Sequence, residues 1–168
     1  MVMGVSGCGK STVASALAHE LALDMTDGDD LHLPASVDKM RAGIALEDAD
    51  RWPWLDRIGQ HLAGATAAGR GRVVACSALK RAYRDRIRAL APKVRFVFLH
   101  GSAELIRERM SQRQGHYMPP ELLDSQLRTL QVPTADELDV ITVSIAQPLD
   151  ALVAQAKAGL LSPLSAPS

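Results

Sequence analysis

Gly4-Val5-Ser6-Gly7-Cys8-Gly9-Lys10-Ser11 is the stretch whose reading decides the fold. It satisfies G-x-x-x-x-G-K-[ST], and it stands between an apolar run, Met1–Val5, and a stripe of Val13, Leu17 and Leu21 at i, i+4 and i+8. Strand, glycine-rich turn and helix in that order make an anion cradle. Glycines at 4, 7 and 9 let successive backbone N–H groups curl inward, and the positive end of the following helix adds its partial charge. Lys10 has the reach for β and γ phosphates, and the Ser11 hydroxyl is placed to ligate Mg²⁺. The implied ligand is a nucleoside triphosphate. The spacing is not G-x-G-x-x-G, which disfavours a dinucleotide-dependent dehydrogenase.

Working outward, the apolar period keeps switching between strand and helix. An extended piece near Leu23–Thr26 leads into the acidic turn Asp27–Asp30, then a short helix over Ser36–Ala42 that Gly43 ends. Pro53 suits the first turn of a helix striped by Trp54 or Leu55, Ile58 and Leu62, broken at Gly69-Arg-Gly71. Arg72–Cys76 reads as a buried strand, Tyr83, Ile87 and Leu90 stripe a helix that Pro92 stops, and Val94–Leu99 reads as a strand covered on both faces. Helices at Ala103–Gln112 and Glu121–Leu130, a strand at Val140–Ile145 and a last helix through Leu149, Leu152, Val153, Ala156 and Leu160 complete the chain. Strands separated by helices imply parallel pairing through right-handed crossovers. The expected fold is a three-layer α/β/α sandwich on a parallel sheet of about five strands, one domain over residues 1–160. A Ser/Pro-rich tail at 161–168 is expected to be disordered. The first strand starts at Met1 with no lead-in, as though part of a longer strand were missing.

The 168 residues suit one α/β core, and 47% apolar with 23% charged residues is the composition of a globular protein. No uncharged apolar run has the length of a membrane span. Nineteen basic residues balance nineteen acidic ones, so no overall field favours nucleic acid or an anionic membrane, and any anion must be bound locally. Two cysteines, Cys8 and Cys76, are too few for a disulfide framework and lack zinc-site spacing, so a reducing cytoplasm is the expected compartment.

Neither Val73–Ser77 nor Val94–His100 closes on the acid that motor and switch ATPases use to hold the metal shell, and no Asn-Lys-x-Asp guanine signature occurs. Asp27, Asp29 and Asp30 are the remaining acids, available to the metal, to a substrate hydroxyl or to both, although Asp-Gly-Asp-Asp is also good turn chemistry. Arg109 and Arg113 share a helix face at i, i+4. They are placed either to close over the triphosphate or simply to be solvated. Lys80, Arg84 and Arg88 form a second basic row with the same two readings.

These residues together resemble the gluconokinase family of small P-loop kinases over nearly the whole chain. Beyond the phosphate loop, the resemblance rests on Asp27-Gly-Asp-Asp-Leu-His32, Lys39-Met-x-x-Gly43, Leu46-x-Asp48-x-Asp50-Arg51-x-Pro53-Trp54-Leu55 and Cys76-Ser-Ala-Leu-Lys80 with Tyr83-Arg84-Asp85. It continues in Arg113-x-Gly115-His116, Gln126-x-x-x-Leu130-Gln131-x-Pro133 and Gln147-Pro-Leu149. The resemblance implies ATP-dependent phosphorylation of D-gluconate at its 6-hydroxyl, giving 6-phospho-D-gluconate and ADP. It implies a nucleoside-monophosphate-kinase-like fold with a lid near 109–126, and a homodimer. A kinase of a shikimate-like acid or of a nucleoside monophosphate is the nearest alternative, and a non-catalytic nucleotide-binding module is the alternative of another class.

Carried onto this chain, the resemblance implies ATP contacts from Gly4, Ser6, Gly7, Cys8, Gly9, Lys10, Ser11 and Thr12, from Arg109 and Arg113, and from Gln147 and Pro148 near the adenine. It implies Mg²⁺ at Ser11 and Asp27, and Asp29 as the group that orients the reacting hydroxyl. Gluconate has a carboxylate at one end and a primary alcohol at the other, so Arg51, Lys80 and Arg84 are candidate partners for carboxylate or polyol. His32 and Ser77 are candidates for hydroxyls, with Lys39 and Gln126 on the same side. Two positions depart from the family: Cys8 stands where Ser is common, suggesting sensitivity to oxidation, and Trp52 stands where a polar residue is common, suggesting a contact or dimer surface.

Overall fold

Val2–Met3 (β1) is the centre of the sheet, with the phosphate loop springing from its end into Lys10–Leu21 (α1). Asp24–Asp27 (β2), Pro34–Arg41 (α2), Asp48–Ala67 (α3), Arg72–Ala75 (β3), Arg81–Leu90 (α4) and Phe96–His100 (β4) follow. Ala103–Ser111 (α5), Pro120–Thr129 (α6), Val140–Ser144 (β5) and Leu149–Leu161 (α7) complete the chain. The computed structural model describes residues 1–112 and 120–164. Arg113, Gly115 and His116, most of the expected turn of the lid, and the end of the expected tail lie outside the described residues. Leu161 belongs to α7.

All five strands are parallel in the order β2-β3-β1-β4-β5, with Val2 opposite both Ala75 and Val97, and Phe96 opposite Val140. Two apolar clusters cover the two faces. One sets Val13, Leu17, Val97, Leu99, Val143 and Leu152 against α1 and α7; the other sets Met3, Trp54, Ile58, Val74, Ile87 and Phe98 against α3 and α4. Ligands in such sheets bind at the carboxyl ends of the strands. A cavity of about 330 Å³ lies instead at the amino end, between Met1, Leu17, Leu23, Leu62, Val94 and Leu160. Its walls are mainly apolar and touch no phosphate-loop residue, so its size does not make it the site of chemistry.

Several element boundaries shift by one or two residues from those read in sequence, and two of the differences shape the site. The chain leaves β1 after Met3 because Gly4 turns at φ 146° and donates its N–H to the Ser77 carbonyl at 3.3 Å. Helix α3 begins at Asp48, one turn before Pro53. Glu47 and Asp50 form a capping box there, and burial of Trp54, Leu55, Ile58 and Leu62 sustains the helix through the proline. That early start carries Asp48, Asp50 and Arg51 onto the helix end nearest the acidic turn. No described helix is long and apolar enough to cross a membrane.

Candidate active site

The phosphate loop is closed by contacts that allow no side chain at two glycines. A Cβ on Gly4 would stand 2.8 Å from Cys8 Sγ and 3.0 Å from the Leu99 carbonyl oxygen; one on Gly7, at φ 82°, would stand 2.5 Å from Met110 Cγ. Lys10 Nζ reaches back across the loop to the Val5 carbonyl at 3.1 Å. Cys8 is 1% exposed, and burial pushes its thiol up despite the pull of Lys10. This corrects the expectation of an oxidation-sensitive loop: Cys8 is a protonated packing residue under Gly4.

Asp27 joins this loop to the acidic turn. Its Oδ2 accepts from the Ser11 hydroxyl at 3.0 Å, and its Oδ1 accepts from the Asp29 backbone N–H at 3.1 Å, capping the 3₁₀ turn Gly28–Leu31. Among the described residues no group of three or more His, Cys, Asp or Glu side chains is arranged to hold a metal. The donor pair Ser11 and Asp27 fits a hard cation that takes its remaining oxygens from phosphates and water, as Mg²⁺ does. Asp29 stands on the 3₁₀ turn with its side chain 85% exposed. Partial loss of water there and the charge of Asp27 raise its carboxyl above the ordinary value.

Behind Asp29, the His32 ring stacks on Trp54, with centroids 4.1 Å apart and planes 12° from parallel, and Trp54 Nε1 donates to the Gly28 carbonyl at 2.7 Å. His32 is 5% exposed in its side chain, and burial holds its pKa down, so the imidazole is neutral near pH 7. Its Nε2 is 3.9 Å from Asp29 Oδ1, and its buried Nδ1 has no hydrogen-bond partner among the described residues.

The basic residues expected at the acceptor divide sharply. Lys39 is paired with Asp50 at 2.7 Å, and Lys80 with Asp48 at 2.8 Å, where the Tyr83 hydroxyl also donates. Arg84 is a correction. It is 1% exposed, bound bidentately to Glu137 at 2.6 and 2.7 Å, and it also donates to the Ala78 and Leu79 carbonyls. With its guanidinium so engaged inside the protein, it cannot receive a substrate. Arg51, near His32 and 6.0 Å from the Tyr83 ring, makes one hydrogen bond among the described residues, to the Leu46 carbonyl. Trp52 meets Tyr83 edge-on at 5.6 Å, so it packs on this same cluster.

Gln126 is a further correction: its side chain goes to Ser6 of the phosphate loop rather than to the acceptor cluster. Arg109 donates to the Ile145 carbonyl at 2.6 Å, which ties α5 to the loop after β5. In that loop Gln147 bonds Ser144 and Gln155, and Pro148 precedes α7. Ser77 lends its carbonyl to Gly4, and Thr12 lies exposed on α1. Sequence reasoning missed Glu137 and Met110, for which no pattern exists, and the His32–Trp54 stack, which helical spacing alone does not reveal.

A family model described as an AAA domain matches residues 1–133. The chain is 42% identical over 154 residues to the thermoresistant gluconokinase of Escherichia coli (strain K12), spanning 92% of this chain and 88% of that one. It is 49% identical over 144 residues to the gluconokinase of Gluconobacter oxydans (strain 621H), spanning 86% and 80%. A solved gluconokinase from Sinorhizobium meliloti 1021 superposes with a TM-score of 0.85 at 50% identity, over 95% of this chain and 89% of that one. The APS kinase CysC of Mycobacterium tuberculosis shares the fold at a TM-score of 0.64 and 20% identity, over 96% and 95%.

Proposed function

The chain belongs to the gluconokinase family of P-loop kinases, and from that premise we propose that it transfers the γ-phosphoryl group of ATP to the 6-hydroxyl of D-gluconate, releasing 6-phospho-D-gluconate and ADP. The observation that carries this reading is the hydrogen-bonded run from Ser11 through Asp27 to Asp29. It sets a nucleotide-side hydroxyl and an acceptor-side carboxylate on the two ends of one short path.

In this reading the loop amides, Lys10 and the α1 N-terminus hold the β and γ phosphates, and Ser11 and Asp27 would hold Mg²⁺. The ion, when bound, neutralises charge on the phosphate oxygens. Asp29 accepts a hydrogen bond from the reacting hydroxyl and takes its proton as transfer completes. Arg109 and Arg113 add positive charge around the triphosphate and exclude water, Gln147 and Pro148 flank the adenine, and His32 and Ser77 meet hydroxyls of the acceptor. Lys80 and Lys39, already neutralised by Asp48 and Asp50, contribute a shaped polar wall. We place this activity in the cytoplasm, in a homodimer that light scattering would detect.

For the substrate carboxylate we assign Arg51, an acceptor-side guanidinium with no carboxylate partner among the described residues; Arg57, which shares that feature, is turned to the Leu31 and His32 carbonyls. Arg51→Ala is expected to raise KM for gluconate by about 10–150-fold, the value of a charge-assisted hydrogen bond, with KM for ATP unchanged. An equal rise in both constants would remove Arg51 from the acceptor site. The reaction itself is tested by coupled ADP release across gluconate, other aldonates, shikimate and nucleoside monophosphates, with Lys10→Ala as an inactive control. Gluconate-dependent release is expected; release with another acceptor and none with gluconate would overturn the reading.

A further inference from the structure

We infer that Gln126 is a positioning residue for nucleotide binding and transfer, fixing the phosphate loop from outside by a reciprocal pair of hydrogen bonds to Ser6. Its Oε1 accepts the Ser6 backbone N–H at 2.7 Å, and its Nε2 donates to Ser6 Oγ at 2.9 Å, across 120 residues of chain. The inference rests on the kinase reading for its consequence in turnover, but not for its consequence in ATP affinity.

Ser6 needs such a restraint. It lies between Gly4 at φ 146° and Gly7 at φ 82°, two positions with little torsional preference of their own, and the ordering of a flexible loop is a cost that binding must otherwise carry. Val5 is anchored in the core and Gly7 is covered by Met110. Within the stretch from Gly4 to Gly7, Ser6 is the residue that hydrogen-bonds a side chain outside the loop among the described residues. Because Gln126 takes the Ser6 N–H and the Val5 carbonyl takes that of Cys8, the phosphates are left to other amides of the loop and the helix start, and Gln126 decides how the loop presents them.

The same segment also reaches the acceptor side. Five residues on, Gln131 Oε1 accepts the Arg81 backbone N–H at 2.7 Å, and its own N–H donates to the Leu79 carbonyl at 2.9 Å. Residues 126–131 therefore strap the phosphate loop to the turn that carries Ser77 and Lys80. That turn is joined to the loop a second time by Gly4 and Ser77. Gln126 acts through this strap and through Ser6, without touching substrate.

The test is a double-mutant cycle of Gln126→Ala and Ser6→Ala, read by calorimetry of ATP binding without acceptor and by steady-state kinetics. Gln126→Ala is expected to weaken ATP binding and to lower kcat/KM for ATP by about 5–100-fold, the range of two ordinary hydrogen bonds, with KM for gluconate within about twofold. Ser6→Ala, losing one bond, is expected to cost about 2–10-fold alone and almost nothing in the Gln126→Ala background. Additive effects, or a Gln126→Ala loss confined to gluconate, would overturn the inference. If Gln126→Ala does not fold, Ser6→Ala decides by itself, and unchanged ATP affinity would refute the restraint. An inactive wild type that still shows the ATP-affinity coupling would sink the gluconate reading and leave this one standing.

Discussion

Asp29→Asn is expected to lower kcat by about 10²–10⁴-fold, the range for loss of a general base, with ATP affinity held within about twofold. The substitution is nearly isosteric, and the bond from its backbone N–H to Asp27 Oδ1 is kept, so Ser11 and Asp27 stay where they are. What is lost is the negative charge and one acceptor atom on the exposed turn. Phosphoryl transfer passes through a loose, metaphosphate-like state, so most of this loss reflects a hydroxyl no longer aligned, and less a proton no longer removed.

The pH dependence gives this prediction its second arm. The Asp29 carboxyl sits above its ordinary value, first through loss of water and then through the charge of Asp27, and it is active when ionised. Turnover is therefore expected to fall as pH drops through that raised value, and the same acid limb should be missing from Asp29→Asn. A carboxyl whose folded-state value is raised costs the fold some stability once pH exceeds it, so Asp29→Asn should melt at the same temperature or higher. Near-normal turnover in the variant, or a lowered melting temperature that accounts for the loss, would remove Asp29 from the reaction.

The largest effect on stability is expected at Glu137. Glu137→Ala leaves the Arg84 guanidinium, 1% exposed, without its counter-charge, a situation that costs about 3–5 kcal/mol. At roughly 2–4 °C per kcal/mol for a chain of this size, the melting temperature should drop by about 10 °C. Arg84 also holds the carbonyls of Ala78 and Leu79, and Ala78 lies at φ 42°, a left-handed turn that alanine adopts only when the surroundings enforce it. The damage should thus extend to the turn carrying Ser77 and Lys80, and to turnover.

Acid unfolding checks the same pair independently. Burial pushes the Glu137 carboxyl up, and hydrogen bonds and charge from Arg84 and Arg88 outweigh it, leaving the carboxyl at about 2 against an ordinary 4.5. Since the folded value lies below the unfolded one, its contribution is complete above about pH 4.5 and disappears as pH falls towards 2. Denaturant unfolding of the wild type should weaken across that window, and Glu137→Gln should weaken less. A loss below about 1 kcal/mol for Glu137→Ala at pH 7 would show that the pair is no more than a surface bridge in effect.

By itself the sequence determined the phosphate loop, the strand–helix alternation and the parallel sheet, because each is a local statement. A glycine spacing that curls backbone amides inward, and apolar periods of 2 and 3.6, need no distant partner to be read. The acidic turn was equally legible: Asp27 caps a 3₁₀ turn within four residues of itself. Tertiary structure alone decided which charges are free. Lys80, Arg84 and Arg88 look alike on one helix stripe, but only a 53-residue separation closed by folding brings Glu137 onto Arg84 and withdraws it from the cleft. Gln126 met Ser6 in the same way across 120 residues, and Pro53 became helix interior through the burial of Trp54 and Ile58. A side chain's partner is set by the packing of layers that the chain reaches from far apart, and a burial pattern along one element carries no record of what the facing element supplies.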